Sequence, residues 1–259
     1  MERFPVLSVS HGAPTLALEP GPSRDFLARL GAGMERPAAI LVVSAHWETV
    51  VPTISAAAQP QTIHDFRGFP PALYAMHYPA PGAPELAARV VQLLTASGFP
   101  AAVADRGLDH GAWVPLMLMY PQADIPVTQL AVQTTLGTAH HWRLGEALRP
   151  LRDEGVLIVG SGSVTHNLRE FGRHGHDALP PAWVSAFNDW LADAVESGRS
   201  ADLLDYRRIA PHAARNHPTE EHLLPLLVAH GAATPGLRPR RIHAGYTWGV
   251  IGMDAWRFD

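Results

Sequence analysis

The sequence predicts an α/β fold: one domain spanning residues 1–259, with a mainly parallel central sheet and helices on both faces. Three observations carry this expectation. The strand-like runs are continuously apolar rather than alternating, amphipathic segments separate them, and Gly or Pro marks most boundaries. A strand covered on both faces has no solvent side on which to place polar residues, so it reads as an unbroken Val/Ile/Leu run.

The first such run is FPVLSVS (4–10), followed by AAILVVSA (38–45). PELAARVVQLLTASG then sets Leu86, Val90, Leu93 and Leu94 on one helical stripe, with Pro84 and Glu85 suited to a first turn and Gly98 closing the helix. IPVTQLAV (125–132) gives a third strand, and a helix from His140 to Arg152 closes at Gly155. GVLIVGSG (155–162) gives the fourth strand, and a helix from Pro181 to Ser197 closes at Gly198. The spacing predicts a last helix from Pro218 towards Gly231, with Pro225 inside it, and a weaker strand within IHAGYTWGVIGM (242–253).

Composition narrows the chemistry. The chain is 47% hydrophobic and 17% charged, as expected of a compact folded protein. A net charge of -4 offers no broad basic surface, so nucleic acid is not the expected partner. The apolar runs are too short to cross a bilayer and the N-terminal residues do not read as a signal peptide, so a cytoplasmic location is the expectation. The absence of cysteine excludes thiol nucleophiles, disulfides and thiolate-held metals, and every basic residue is Arg, which excludes Schiff-base chemistry and the phosphate-loop lysine.

Against these exclusions stand 15 histidines. VLSVSHG ends in His11, ILVVSAHWE delivers His46, and VLIVGSGSVTHN reaches His166. Ligands of parallel sheets bind beyond the carboxyl ends of the strands, so three buried runs that each end near an imidazole point to one site. Imidazole suits Zn, Fe, Cu and Ni, and rigid strand ends can hold such ligands together. His11 and His46 are the expected metal ligands, with a further one from HPTEEHLLPLL (217–227). A two-His, one-carboxylate site would take Glu221 and an all-nitrogen site His222, while Glu220 reads as a complement to the helix dipole. In GLDHGAWVPL, Asp109 stands beside His110 and would fix its tautomer, making His110 an acid/base candidate. His166 would ligate the metal or act beside it. The remaining histidines read as ordinary loop or helix residues.

Taken together, SHGAP (10–14), VVSAHWE (42–48), IHDFRGFPPALYAMHYPAPG (63–82), DHGAWVPLMLMYPQADIPVTQL (109–130), GSGSVTHNLR (160–169), PTEEHLLPLL (218–227) and MDAWRF (253–258) resemble the DODA-type branch of the class III extradiol ring-cleavage dioxygenases, the LigB-like superfamily. The resemblance implies a mononuclear divalent metal and cleavage of a catechol by O2, with L-DOPA or a related catechol as the typical substrate. It implies metal positions at His11, His46 and His222, with His166 beside or bound to the metal, and an acid/base role for His110. Fe(II) is the ion expected for oxygen chemistry, and Zn(II) can occupy the same ligands. Trp47, Phe69 and Tyr74 are candidates to pack on the ring. The alternatives from other classes are a zinc-dependent hydrolase on the same scaffold and a non-catalytic, Memo-like binding protein. The number of subunits is left open.

Overall fold

A computed structural model describes residues 3–259. Its first half contains strands β1 (Val6–Ser10), β2 (Ala39–Glu48), β3 (Thr53–Ser55), β4 (Ala102–Ala104) and β5 (Val127–Val132), and helices α1 (Pro22–Ala32), α2 (Pro71–Tyr74), α3 (Pro84–Ala96) and α4 (His110–Met119). The second half adds α5 (Gly137–Leu148), β6 (Val156–Gly162), α6 (Ala182–Glu196), α7 (Ser200–Leu204), α8 (Tyr206–Ile209), α9 (Ala213–Asn216), α10 (Leu224–Gly231), β7 (Arg240–His243), β8 (Tyr246–Thr247), β9 (Ile251–Gly252) and β10 (Ala255–Phe258).

One eight-stranded sheet runs β4-β3-β5-β2-β6-β1-β10-β7. Its centre, β5-β2-β6-β1, is parallel throughout, whereas β10 and β7 extend it antiparallel and β3 meets β5 antiparallel. The expected mainly parallel sheet is therefore present, with antiparallel additions at its sides. Alternation along each central strand divides the core into two layers. Leu41, Val43 and Ile158 face a cluster containing residues of α3, α5, α6 and α10, while Ile40, Val42, Leu157 and Val159 face one containing residues of α1 and α4. Both sets are buried, which explains the unbroken apolar runs.

Several sequence expectations need correction. The helix expected over 140–152 is α5, continued by a 3-10 turn over Arg149–Glu154 that ends at the left-handed Gly155. The last helix starts at Leu224 rather than Pro218, because 218–223 forms turns, and Pro225 then lies in its first turn, where no backbone donor is required. Glu220 consequently does not cap a helix; its carboxylate accepts the Tyr206 hydroxyl at 2.8 Å. The 242–253 region is broken into the end of β7 and the short pair β8–β9. The three-residue β3 and β4, and β10 in the tail, are additions to the expected set, and so is α1.

Candidate metal centre

The carboxyl ends of β1, β2 and β6 lie at one edge of the sheet, and the imidazoles converge there. His11 follows β1 directly, and its backbone N–H donates to Gly162 O at 3.1 Å, tying the ends of β1 and β6 together. In β2 the pairing with β5 breaks after Val43 and resumes at Glu48, so Ser44 to Trp47 face Ala131 alone. The extra residues bend β2 out of the ladder and re-aim its side chains, carrying His46 into the cluster.

His222 arrives from the turn before α10, and glycine lets it do so. An added Cβ at Gly162 would lie 2.1 Å from His222 O, and one at Gly160 would lie 2.3 Å from Pro225 O. Only a strand without side chains at these positions admits the 222–225 backbone so close. The Ser163 N–H then donates to His222 O at 2.9 Å.

The result is a compact nitrogen cluster. His46 Nε2 is 3.0 Å from His11 Nε2 and 3.3 Å from His222 Nε2. The proximity expected of His11 and His46 is thus present, and His11, His46 and His222 form a group able to hold one ion. Hydrogen bonding fixes two of the tautomers. The Ser161 hydroxyl donates to Gly111 O, so it must accept from His11 Nδ1–H at 3.0 Å. Glu221 Oε1, an acceptor only, takes the Nδ1–H of His222 at 2.9 Å. Both rings therefore present an Nε2 lone pair to His46. Burial, reinforced by the neighbouring imidazoles, holds His11 and His222 well below the ordinary histidine range. Converging lone pairs that resist protonation fit a metal ion of the kind imidazole prefers.

Glu221 thereby takes a place in the sequence alternatives: it orients His222 and is itself held by the Thr219 hydroxyl at 3.0 Å. His166 lies flat on His222, with ring centroids 3.4 Å apart and 12° between planes, and groups with Glu221 and His222 rather than with His11 and His46. Burial first, then nearby imidazoles, pushes its pKa down to about 3.

The Asp109–His110 pairing expected from adjacency is not what forms. Asp109 turns back into the core, accepting Ser44 Oγ–H at 2.7 Å, the Gln129 side-chain amide and Arg106 at 3.4 Å. Full burial raises its pKa despite those donors. The partner of His110 is Asp65, 45 residues earlier, which accepts the His110 backbone N–H and the Nδ1–H, each at 2.9 Å. This carboxylate also sits at the N-terminus of α4, where the helix dipole favours negative charge. Burial pushes Asp65 upward, but its bonds from His110 outweigh that and hold it below the usual carboxylate range. Among the described residues nothing bonds His110 Nε2, and the ring centroid lies 3.9 Å from that of His46.

A cavity of about 460 Å³ opens over this cluster, lined by all five imidazoles and by Phe66, Phe69 and Phe171. Of the aromatic candidates, Phe69 lines it. Trp47 is buried with Arg106 stacked 5.0 Å above its ring, and Tyr74 is 39% exposed outside the lining. Asp65, Phe66 and Phe171 are the residues that sequence reasoning missed. Asp65 stood within the IHDFRGFP stretch, but nothing local marks it as the partner of His110.

Comparison with known proteins adds an independent line. The family described as "Catalytic LigB subunit of aromatic ring-opening dioxygenase" matches residues 7–247. The chain is 47% identical over 255 residues to the 4,5-DOPA dioxygenase extradiol of Beta vulgaris, covering 96% of this chain and 94% of that one. It is 42% identical to the Escherichia coli K12 protein of the same name, over 89% of this chain and 85% of that one. The crystal structure of an uncharacterised E. coli K12 protein superimposes with a TM-score of 0.83 at 34% identity, covering 99% of this chain and 100% of that one.

Proposed function

The chain belongs to the LigB family of aromatic ring-opening dioxygenases, and from that premise we propose how its own residues carry out extradiol cleavage of a catechol by O2. The observation that carries the reading is the convergence of His11, His46 and His222 beneath a cavity that also contains the His110–Asp65 pair. Residues 1–259 would act as one catalytic domain, consistent with the single large sheet and the family match over 7–247.

LigB dioxygenases are metal-dependent. In this reading His11, His46 and His222 would hold one divalent ion, and that ion would supply Lewis acidity and, as Fe(II), access to O2. Zn(II) would occupy the same ligands without supporting oxygen chemistry. His110 Nε2 accepts a proton from a catechol hydroxyl, and the Asp65 carboxylate stabilises the imidazolium that results. His166, stacked on His222 at the cavity wall, holds a second proton-transfer position. Phe66, Phe69 and Phe171 exclude water and pack against the ring. The relatives' names point to L-DOPA or a related catechol as substrate.

The test is oxygen uptake by anaerobically Fe(II)-loaded protein mixed with a small catechol panel, with formation of a yellow ring-opened product followed by absorbance. A hydrolase on the same scaffold would consume no O2, and a binding protein would change neither signal.

A further inference from the structure

Every carboxylate at the cavity wall has a partner within the protein. Asp65 is bonded to His110, and Glu221 to His222 and Thr219. The lining cation is different. Arg67 lines the same cavity, the residue is exposed, and among the described residues it makes no hydrogen bond or ion pair. The chain that carries it is nevertheless well anchored. Ile63 O accepts the Trp113 indole N–H at 3.0 Å, Asp65 is held twice by His110, and Gly68 turns the backbone immediately afterwards with φ 77°. The guanidinium thus starts from a fixed point two residues from Asp65, over a wall otherwise built largely from Phe66, Phe69, Phe171 and Ile251.

We propose that Arg67 determines specificity by binding a carboxylate on the side chain of the catechol, so that the substrate class is catechol carboxylates rather than neutral or cationic catechols. The proposal rests on the ring-opening reading above. A guanidinium presents a planar fork matched to a carboxylate, and at a cavity rim of mostly apolar character that pair is less screened than on open surface.

The test compares wild type, Arg67→Ala and Arg67→Lys with 3,4-dihydroxyphenylacetate, L-DOPA, 4-methylcatechol and dopamine. Anaerobic calorimetry on the Zn(II)-loaded proteins gives Kd without turnover, and oxygen uptake by the Fe(II)-loaded proteins gives KM and kcat. Arg67→Ala is expected to weaken dihydroxyphenylacetate about tenfold in Kd and KM, equivalent to about 1.4 kcal/mol, with kcat unchanged. The 4-methylcatechol constants should move less than about twofold, Lys should restore part of the loss, and added salt should weaken dihydroxyphenylacetate in wild type but not in Arg67→Ala. Equal effects on charged and neutral catechols, or no effect on the acid, overturn the role of Arg67. Absence of oxygen uptake with every catechol overturns the ring-opening reading instead, and the calorimetric comparison still decides the role of Arg67.

Discussion

Replacing Gly162 by alanine tests how the sheet positions the histidine that reaches the cluster from furthest along the chain. The new Cβ would stand 2.1 Å from His222 O, whereas an ordinary carbon–oxygen contact needs about 3.2 Å, so the 222–225 backbone must retreat by roughly 1 Å. That shift would widen the 3.3 Å spacing between His222 Nε2 and His46 Nε2 several times further than the ~0.2 Å that a metal site tolerates. Overpacking of this kind costs about 1–3 kcal/mol against a typical stability of 5–15, so the variant should fold while binding metal about 10- to 100-fold more weakly. Circular dichroism melts would report the first quantity and Co(II) titration, followed by its visible absorption, the second. Gly21→Ala is the control: nothing lies within 4 Å of its added Cβ, its φ of 165° is ordinary extended backbone, and Co(II) affinity should not change. A Gly162→Ala protein that binds Co(II) as tightly as wild type would refute the claim that close strand-to-turn approach sets the position of His222.

Other outcomes follow from the same geometry. His11→Ala or His46→Ala should abolish metal retention measured by elemental analysis, whereas His110→Ala should keep the metal and lose oxygen uptake. Asp65→Asn removes the acceptor that fixes the His110 tautomer, and kcat should fall by about 10²-fold or more at unchanged metal content. Asp109→Ala strands the buried Ser44 and Gln129 donors and should destabilise by about 1–3 kcal/mol per unsatisfied group, read by urea titration. Metal-free protein should be acid-labile: burial depresses His141, His217 and His230 to about 4 and His166 to about 3, so the unfolded chain binds the extra protons. Stability from these groups is complete above the unfolded value near 6.5 and is lost as pH falls towards 4, each contributing at most about 1.4 kcal/mol per pH unit. A Tm that stays flat between pH 7 and pH 5 would show that these histidines are not held neutral in the interior.

The strand-end histidines were legible because two local signals coincide: an unbroken apolar run identifies a doubly covered strand, and its carboxyl end identifies the edge where ligands bind. The break in the β2 ladder that aims His46 was not legible, since it depends on pairing with β5, more than 80 residues later. The same distinction separates Asp109 from Asp65. Adjacency made Asp109 the obvious partner of His110, but the first residue of a helix and the one before it diverge. The Asp109 carboxylate is drawn into the core by Ser44 and Gln129, and the α4 terminus receives its anion from a distant loop. The start of α10 was misplaced for a related reason. Pro218 and Pro225 both suit a first turn, and only the packing of 222–225 against the glycines of β6 selects the second.

The carboxylates show why the cavity suits an anion once the proposed ion is in place. Asp65 and Glu221 each use an oxygen to fix the Nδ1–H of one imidazole, so their role in orientation brings two formal negative charges beside otherwise neutral rings. A divalent cation held by His11, His46 and His222 would offset those charges and leave the floor of the cavity near neutrality. Arg67, which pairs with no acid among the described residues, would then be the uncompensated charge at the wall. A cavity of this kind attracts a ligand that carries negative charge at its far end as well as its diol, because that ligand alone neutralises the guanidinium without leaving a second charge unmatched. On the proposed reading, the features that hold the histidines in their tautomers would also favour catechol acids over catechol amines.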